Sequence, residues 1–256
     1  MKNSNKILFG GLGLVVLLGL LAAGYTRANT KIWSPEACGE MPRTIKNVQL
    51  QFDKVEISHG INVTLTQGEF NLELEATKEV MPYVNHHVEN GMLKLYLENG
   101  EYLPCPVNVK MRCPELSSLS VSSGSTVTGE GRFETSSLAI KTMNGSSANL
   151  NLVCDKVNVY STNSSDLQLS GTISELDITA LNSVRIQAPY ARVNAATVVL
   201  KNSSSAMIYA DSIPSVSLTN SSSLQYIGQA VVGKTSTQNS SSIERIEESE
   251  GYNIVD

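Results

Sequence analysis

The feature that most limits what this chain can fold into is a period. Asn144, Asn163, Asn182, Asn202, Asn220 and Asn239 recur at intervals of 18 to 20 residues, and Ser123 lies 21 residues ahead of the first. Four of them open the same triplet: Asn163-Ser164-Ser165, Asn202-Ser203-Ser204, Asn220-Ser221-Ser222 and Asn239-Ser240-Ser241. A fixed spacing of this size marks a repeat architecture, in which each unit finds its packing partner in the next unit.

Within each unit the apolar residues alternate. Six, four and two residues before successive Asn stand Leu138/Ile140/Thr142, Val157/Val159/Ser161, Leu176/Ile178/Ala180 and Ala196/Val198/Leu200. Four and six residues after them come Ala148/Leu150, Leu167/Leu169, Ala206/Ile208 and Leu224/Tyr226; after Asn182 the pair Val184/Ile186 comes two residues early. Period-two alternation over short runs means strands with one buried face. Neither strand of a unit can bury that face alone. Stacking the units at about 4.8 Å merges the inward columns into one core. The expected fold is therefore all-β: a right-handed parallel β-helix, or β-solenoid, with coils of about 19–20 residues and one N-terminal hydrophobic helix ahead of it.

Asn suits the turns of such a coil because it tolerates the left-handed conformation. Stacked identical amides also bond to one another as a ladder. The alternative use of this column is a glycan- or ice-binding strip. Ice binding favours an outward Thr-x-Thr array, and only Thr235 and Thr237 resemble one. Both fall in the inward column, where with Gly233 they taper the core toward a C-terminal cap.

The N-terminus reads as a targeting segment. Lys2 and Lys6 precede an uncharged run from Ile7 to Gly24, on the boundary between a signal-peptide core and a membrane span. Residues 1–25 are expected to act as a signal anchor, or as a signal peptide cut after Gly24. Tyr25 stands where a lipoprotein would carry its acylated Cys. Both readings place residues 26–256 outside the cytoplasm, in the cell envelope on an N-terminal transmembrane helix, or secreted once cleaved. Residues 26–44, with Pro35 and Pro42, read as an exposed lead-in, residues 45–246 as one β-helix domain, and residues 247–256 as an acidic tail. Cys38, Cys105, Cys113 and Cys154 suit an oxidising compartment, as disulfides in any of three connectivities or as buried thiols. The stretch from Cys105 to Cys113 reads as extended, which keeps these two beyond bridging distance of each other unless the chain turns back.

Residues 45–113 alternate like strands without the Asn period, as in Ile61-Asn62-Val63-Thr64-Leu65 and Leu93-Lys94-Leu95-Tyr96-Leu97. The run Phe52-Asp53-Lys54-Val55-Glu56-Ile57-Ser58-His59-Gly60-Ile61-Asn62-Val63-Thr64-Leu65-Thr66-Gln67-Gly68 resembles the opening of the putative auto-transporter adhesin, head GIN domain family, with Gly60-Ile61-Asn62 as the name-giving triplet. Val88-Glu89-Asn90-Gly91-Met92-Leu93-Lys94-Leu95 is similar to that family's next strand pair. The resemblance covers residues 48–246 and implies a β-helical extracytoplasmic protein with no catalytic residues to map. A membrane barrel of its own would need at least about 8 further strands of about 10 residues each, so only the head-domain likeness applies.

Chemistry is sparse. A net charge of −5 argues against a nucleic-acid partner. The outward columns five and three residues before each Asn gather no acids, so no catalytic, cofactor or metal site is expected. Glu73 and Glu75 read as the wet side of a half-buried strand; adjacent His86 and His87 point to opposite sides, and His59 stands alone. Tyr160 and Tyr209 face outward and are candidates for stacking on sugar rings, although on different strands they make no joint platform. The expected function is a membrane-tethered binding or adhesion module without catalysis, whose partner is an envelope polymer, a glycan or a protein. The alternatives are a self-associating envelope scaffold or signalling-associated protein, and a carbohydrate-active β-helix enzyme.

Overall fold

The computed structural model describes Cys38, residues 42–98 and residues 105–247. The apolar N-terminal run lies outside the described residues, as does most of the acidic tail. Among the described residues no helix is long and apolar enough to cross a membrane. The described strands all belong to the compact unit Met41–Asp256; of the preceding unit, Met1–Glu40, only Cys38 is described.

The strands of the first half are β1 (Arg43–Val48), β2 (Lys54–Ile57), β3 (Ile61–Gln67), β4 (Asn71–Thr77), β5 (Val84–Glu89), β6 (Met92–Leu97), β7 (Val107–Cys113), β8 (Ser118–Ser122) and β9 (Thr126–Gly129). The second half contributes β10 (Phe133–Met143), β11 (Ser147–Thr162), β12 (Asp166–Leu181), β13 (Arg185–Lys201), β14 (Ser205–Thr219), β15 (Ser223–Ile227), β16 (Val231–Gln238) and β17 (Ser242–Ile246). Together they wind into a β-solenoid of about 7 turns with coils of roughly 19 residues.

Each coil reverses at its Asn. Asn163 and Ser164 have φ of 57° and 59°, Asn182 and Ser183 66° and 63°, Asn202 and Ser203 57° and 60°. Two successive left-handed residues make a tight reversal, and Asn accepts that conformation at lower cost than other side chains. The amides then form a ladder: Nδ2 of Asn163 donates to Oδ1 of Asn144 (3.0 Å), Asn182 to Asn163 (3.1 Å), Asn202 to Asn182 (2.8 Å), Asn220 to Asn202 (2.8 Å) and Asn239 to Asn220 (2.7 Å). The third turn residue seals the inside of the reversal. The hydroxyls of buried Ser204 and Ser222 donate back to the carbonyls of Lys201 and Thr219 at 2.8 and 2.9 Å.

Each coil has two faces. The half-coils that precede each turn form a leading face, and those that follow it form a trailing face. Opposite the turn the strand itself bends, and the bend shows as a slip in the alternation. Along β11 the buried positions run Ala148, Leu150, Leu152, Cys154 and then Val157, Val159, Ser161, with Asp155 and Lys156 taking two successive outward places. Gly171 sits near the same corner of β12 at φ 97°, where an added Cβ would lie 2.2 Å from the Leu152 carbonyl oxygen.

The first half is also coiled, in a different spatial order. β2 pairs in parallel with both β6 and β8, so that Val55 lies between Leu93 and Leu119. β3 pairs likewise with both β7 and β9, placing Val63 between Val109 and Val127. The coil made first in sequence is thus wedged between two made later. Antiparallel strands close this end: β5 on β6, β4 on β7, and β1 on β4. The Gly60-Ile61-Asn62 triplet forms part of this wedge. Gly60 takes φ 72° in the turn and its N–H donates to the Ser123 carbonyl, Ile61 is fully buried, and Asn62 faces out toward the Asn108 amide at 3.4 Å.

At the other end Thr235 and Thr237 stack beside Val216 and Leu218 in the inward column, as the sequence predicts. The valine and leucine are buried, while both threonines are exposed on the terminal edge. Polar side chains in these places let the core end against water. Cys38 and Cys105 are each disulfide-bonded, whereas Cys113 and Cys154 are buried free thiols.

Two outcomes test this fold. Asn182→Ala should lower stability to urea by about 1–3 kcal/mol, from left-handed strain plus two lost amide bonds, and Asn182→Gly by less, because glycine keeps the turn and loses only the ladder. Equal losses would mean that the left-handed turn contributes nothing. Burial pushes the Cys113 thiol up to about 12, so it stays protonated at pH 8. Mass spectrometry after iodoacetamide treatment should find Cys113 unmodified in the folded chain and alkylated once the chain is denatured.

Candidate ligand-binding furrow

The leading face carries a furrow of about 480 Å³ between two outward columns. Parallel register builds both columns. Ser118, Ala139, Asn158 and Asp177 align across β8, β10, β11 and β12, and Lys141, Tyr160 and Thr179 align two residues further along β10, β11 and β12. The floor is the backbone at Ile140 and Val159, whose side chains point into the core. Ser118 and Ala139 are small, so the furrow deepens beside the larger Asn158 and Tyr160. The Tyr160 side chain is 44 % exposed, and the Lys141 ammonium lies 6.0 Å from its ring centroid.

One wall of the furrow belongs to a charge cluster. Lys156 Nζ lies 3.2 Å from both a Glu175 and an Asp177 carboxylate oxygen. Hydrogen bonds to Asp177 first and Glu175 second hold the Lys156 ammonium above its ordinary pKa. With Lys141 the furrow and this wall carry two lysines and two carboxylates, whose formal charges balance.

Sequence reasoning placed Tyr160 outward and missed this cluster. Lys156 and Glu175 stand seven residues before Asn163 and Asn182, one step beyond the outward columns searched for acids. The pairs Asp155-Lys156 and Ser174-Glu175, two successive polar residues in an alternating run, were the available signal of a corner.

Other singled-out residues lie elsewhere. Tyr209 is half-buried on β14, its ring edge close to Gly228, and shares no surface with Tyr160. Glu73 and Glu75 alternate with buried Leu72 and Leu74 and pair with Lys110 (3.0 Å) and Arg43 (2.5 Å), the arrangement expected of a wet strand face. His86 sits opposite inward Leu95, while exposed His87 packs edge-on against Tyr96 with centroids 6.0 Å apart. His59 Nδ1 hydrogen-bonds with Ser58 Oγ at 2.8 Å. Among the described residues no group of three or more His, Cys, Asp or Glu side chains is placed to hold a metal ion. A larger hollow of about 660 Å³ beside β1 and β5 is lined by Lys46, Lys78 and His86 and by no Phe, Tyr, Trp or carboxylate among the described residues. On the trailing face, Tyr190 is raised at a register shift in β13 and is 48 % exposed.

The fold and face define a β-solenoid that displays side chains on flat outer surfaces. The family model described as putative auto-transporter adhesin, head GIN domain, matches residues 51–230, and the chain belongs to that family. Comparison with curated proteins finds no match. Solved structures share the fold at low identity. A putative adhesin from Bacteroides fragilis is 19 % identical with a TM-score of 0.72, over 80 % of this chain and 97 % of that one. A putative adhesin from Parabacteroides distasonis is 15 % identical with a TM-score of 0.63, over 81 % and 98 %. A protein from the same organism described as a putative lipid binding protein is 14 % identical with a TM-score of 0.61, over 81 % and 98 %.

The charge cluster makes its own prediction. Lys156→Met should lower the thermal unfolding midpoint at low ionic strength, and the difference from the unaltered chain should disappear near about 1 M salt, where exposed charges are screened. A deficit that persists unchanged in salt would mean that Lys156 acts through packing of its stem.

Proposed function

We propose that the chain is an extracytoplasmic, membrane-tethered binding module of the cell envelope, without catalysis, that presents the leading-face furrow to a ligand. The observation that supports this most is the furrow itself: an exposed aromatic ring, an amide and paired charges on a face whose strands are hydrogen-bonded on both sides. Such a face has little freedom to rearrange, which lowers the ordering cost of binding. The apolar segment between Ile7 and Gly24 supports the tether, and the family's adhesin description agrees with a display role.

The carboxylates fit binding better than glycoside hydrolysis. Hydrolases set two carboxyl groups on either side of the scissile bond, roughly 5–9.5 Å apart and with separate environments. Glu175 and Asp177, two residues apart on one strand, fall within that spacing but share a single lysine, so they lack the separate environments that an acid and a nucleophile or base require. Self-association is the second reading, favoured by the exposed outer edge of β16. Lys234 on that strand and the polar Thr235 and Thr237 weigh against it, since charge and polarity on an edge discourage further pairing.

The test is a pull-down of envelope fractions by the full chain in detergent, run beside light scattering. A monomer that binds an envelope polymer, glycan or protein saturably supports the module. Stable oligomers with no external ligand would replace it with the scaffold.

A further inference from the structure

Resting on that binding-module reading, we infer that the leading-face furrow is a saccharide site: Tyr160 stacks on the apolar face of a sugar ring while Asp177, Asn158 and Lys141 bond its hydroxyls, and the chain of sugars runs along the solenoid axis.

The chemistry of the lining selects among ligand classes. A nucleic acid or other polyanion needs a basic surface, and here two lysines are matched by two carboxylates. A lipid tail needs an apolar groove that encloses it, and this furrow, although much of its lining surface is apolar, is open to solvent and carries a carboxylate, an amide, an ammonium and a hydroxyl along its rim. A peptide joining by strand addition needs a free sheet edge. β11, which carries Tyr160, is paired on both sides, so no edge is free there. What remains is a ligand with an apolar face to lie on a phenol ring and hydroxyls around its rim. A ring with one apolar body and one polar tip is suited to this contact.

The dimensions agree. Side chains in one column repeat at about 4.8 Å, and outward positions along a strand are about 7 Å apart. Tyr160 and Thr179 therefore stand about 7 Å from Asn158 and Asp177 along their strands, a spacing that one sugar ring lying over the furrow can bridge, with small Ala139 and Ser118 leaving room beside it. Beyond Asp177 and Thr179 the same columns continue as Thr197 and Val199, then Ser215 and Ser217. The furrow itself ends at Asp177 and Thr179, and the surface beyond them carries no charged side chain in these columns as far as β14. A linear oligosaccharide can extend that way and gain contacts with each added ring.

The experiment is calorimetric titration of the full chain in detergent with N-acetylglucosamine, its dimer and tetramer, cellotetraose and maltotetraose, alongside a bacterial-polysaccharide array. Binding that strengthens from monomer to tetramer, weakens by about tenfold in Tyr160→Ala and falls in Asp177→Asn supports the site. Tyr190→Ala, which removes an equally exposed tyrosine from the other face, should leave affinity unchanged. Circular dichroism and unfolding midpoints check that each variant is folded. Saccharide binding indifferent to Tyr160→Ala would overturn the assignment of the furrow. Failure to bind any saccharide, with capture from envelope fractions retained, would overturn the ligand class and leave the module standing. Failure of both would remove the two together.

Discussion

Everything in this fold depends on a reversal that repeats with the same shape. A coil of roughly 19 residues cannot enclose a core alone, so its strands gain burial only if the next coil lies in register. Register requires that every turn reverse the chain in the same way. Two left-handed residues provide that reversal, and Asn in the first place links each reversal to the next through its amide. Where the Asn is replaced, as in Ser123-Gly124 and His59-Gly60, glycine takes the second left-handed place and the backbone bonds between turns continue. The amide ladder therefore reinforces stacking in the second half, while backbone bonds helped by serine hydroxyls such as those of Ser122 and Ser125 sustain it in the first.

Stacking in register also makes the outer faces. Outward side chains at equivalent coil positions become columns, so residues about 19 apart in sequence become neighbours in space. A uniform repeat would give a featureless ladder of serines and threonines. The furrow arises where the repeat departs from uniformity, with a tyrosine below a lysine and an alanine beside an asparagine. The corner opposite the turns adds the charge cluster of Lys156, Glu175 and Asp177. Structure is set by the inward columns and the turns, and the outward columns are free to vary in chemistry.

The inward columns and the turns were legible because both are local. Leu176, Ile178 and Ala180 announce a buried strand face by spacing alone, and Asn-Ser-Ser announces its own turn. The wedge of β2 and β3 between later coils was not legible, since no local pattern tells Val55 that it pairs with both Leu93 and Leu119. The furrow was half legible. Tyr160 read correctly as outward, but its neighbours became apparent only once register aligned Lys141 and Asp177 around it. The corner at Asp155-Lys156 hid for a related reason: a one-residue slip in alternation looks like noise until the strand is seen to bend there.

Because each coil leans on its two neighbours, protection should be graded along the stack. Native-state hydrogen exchange of the full chain measures this directly. Nearest-neighbour stacking predicts the slowest amides in β11, β12 and β13, which are paired on both sides, and fast exchange at both ends of the stack, in β1 and β5 and in β16 and β17, each paired on one side among the described residues. Equal protection of β16 and β12 would contradict it, because the last coil would then draw its stability from something other than the coil beneath it.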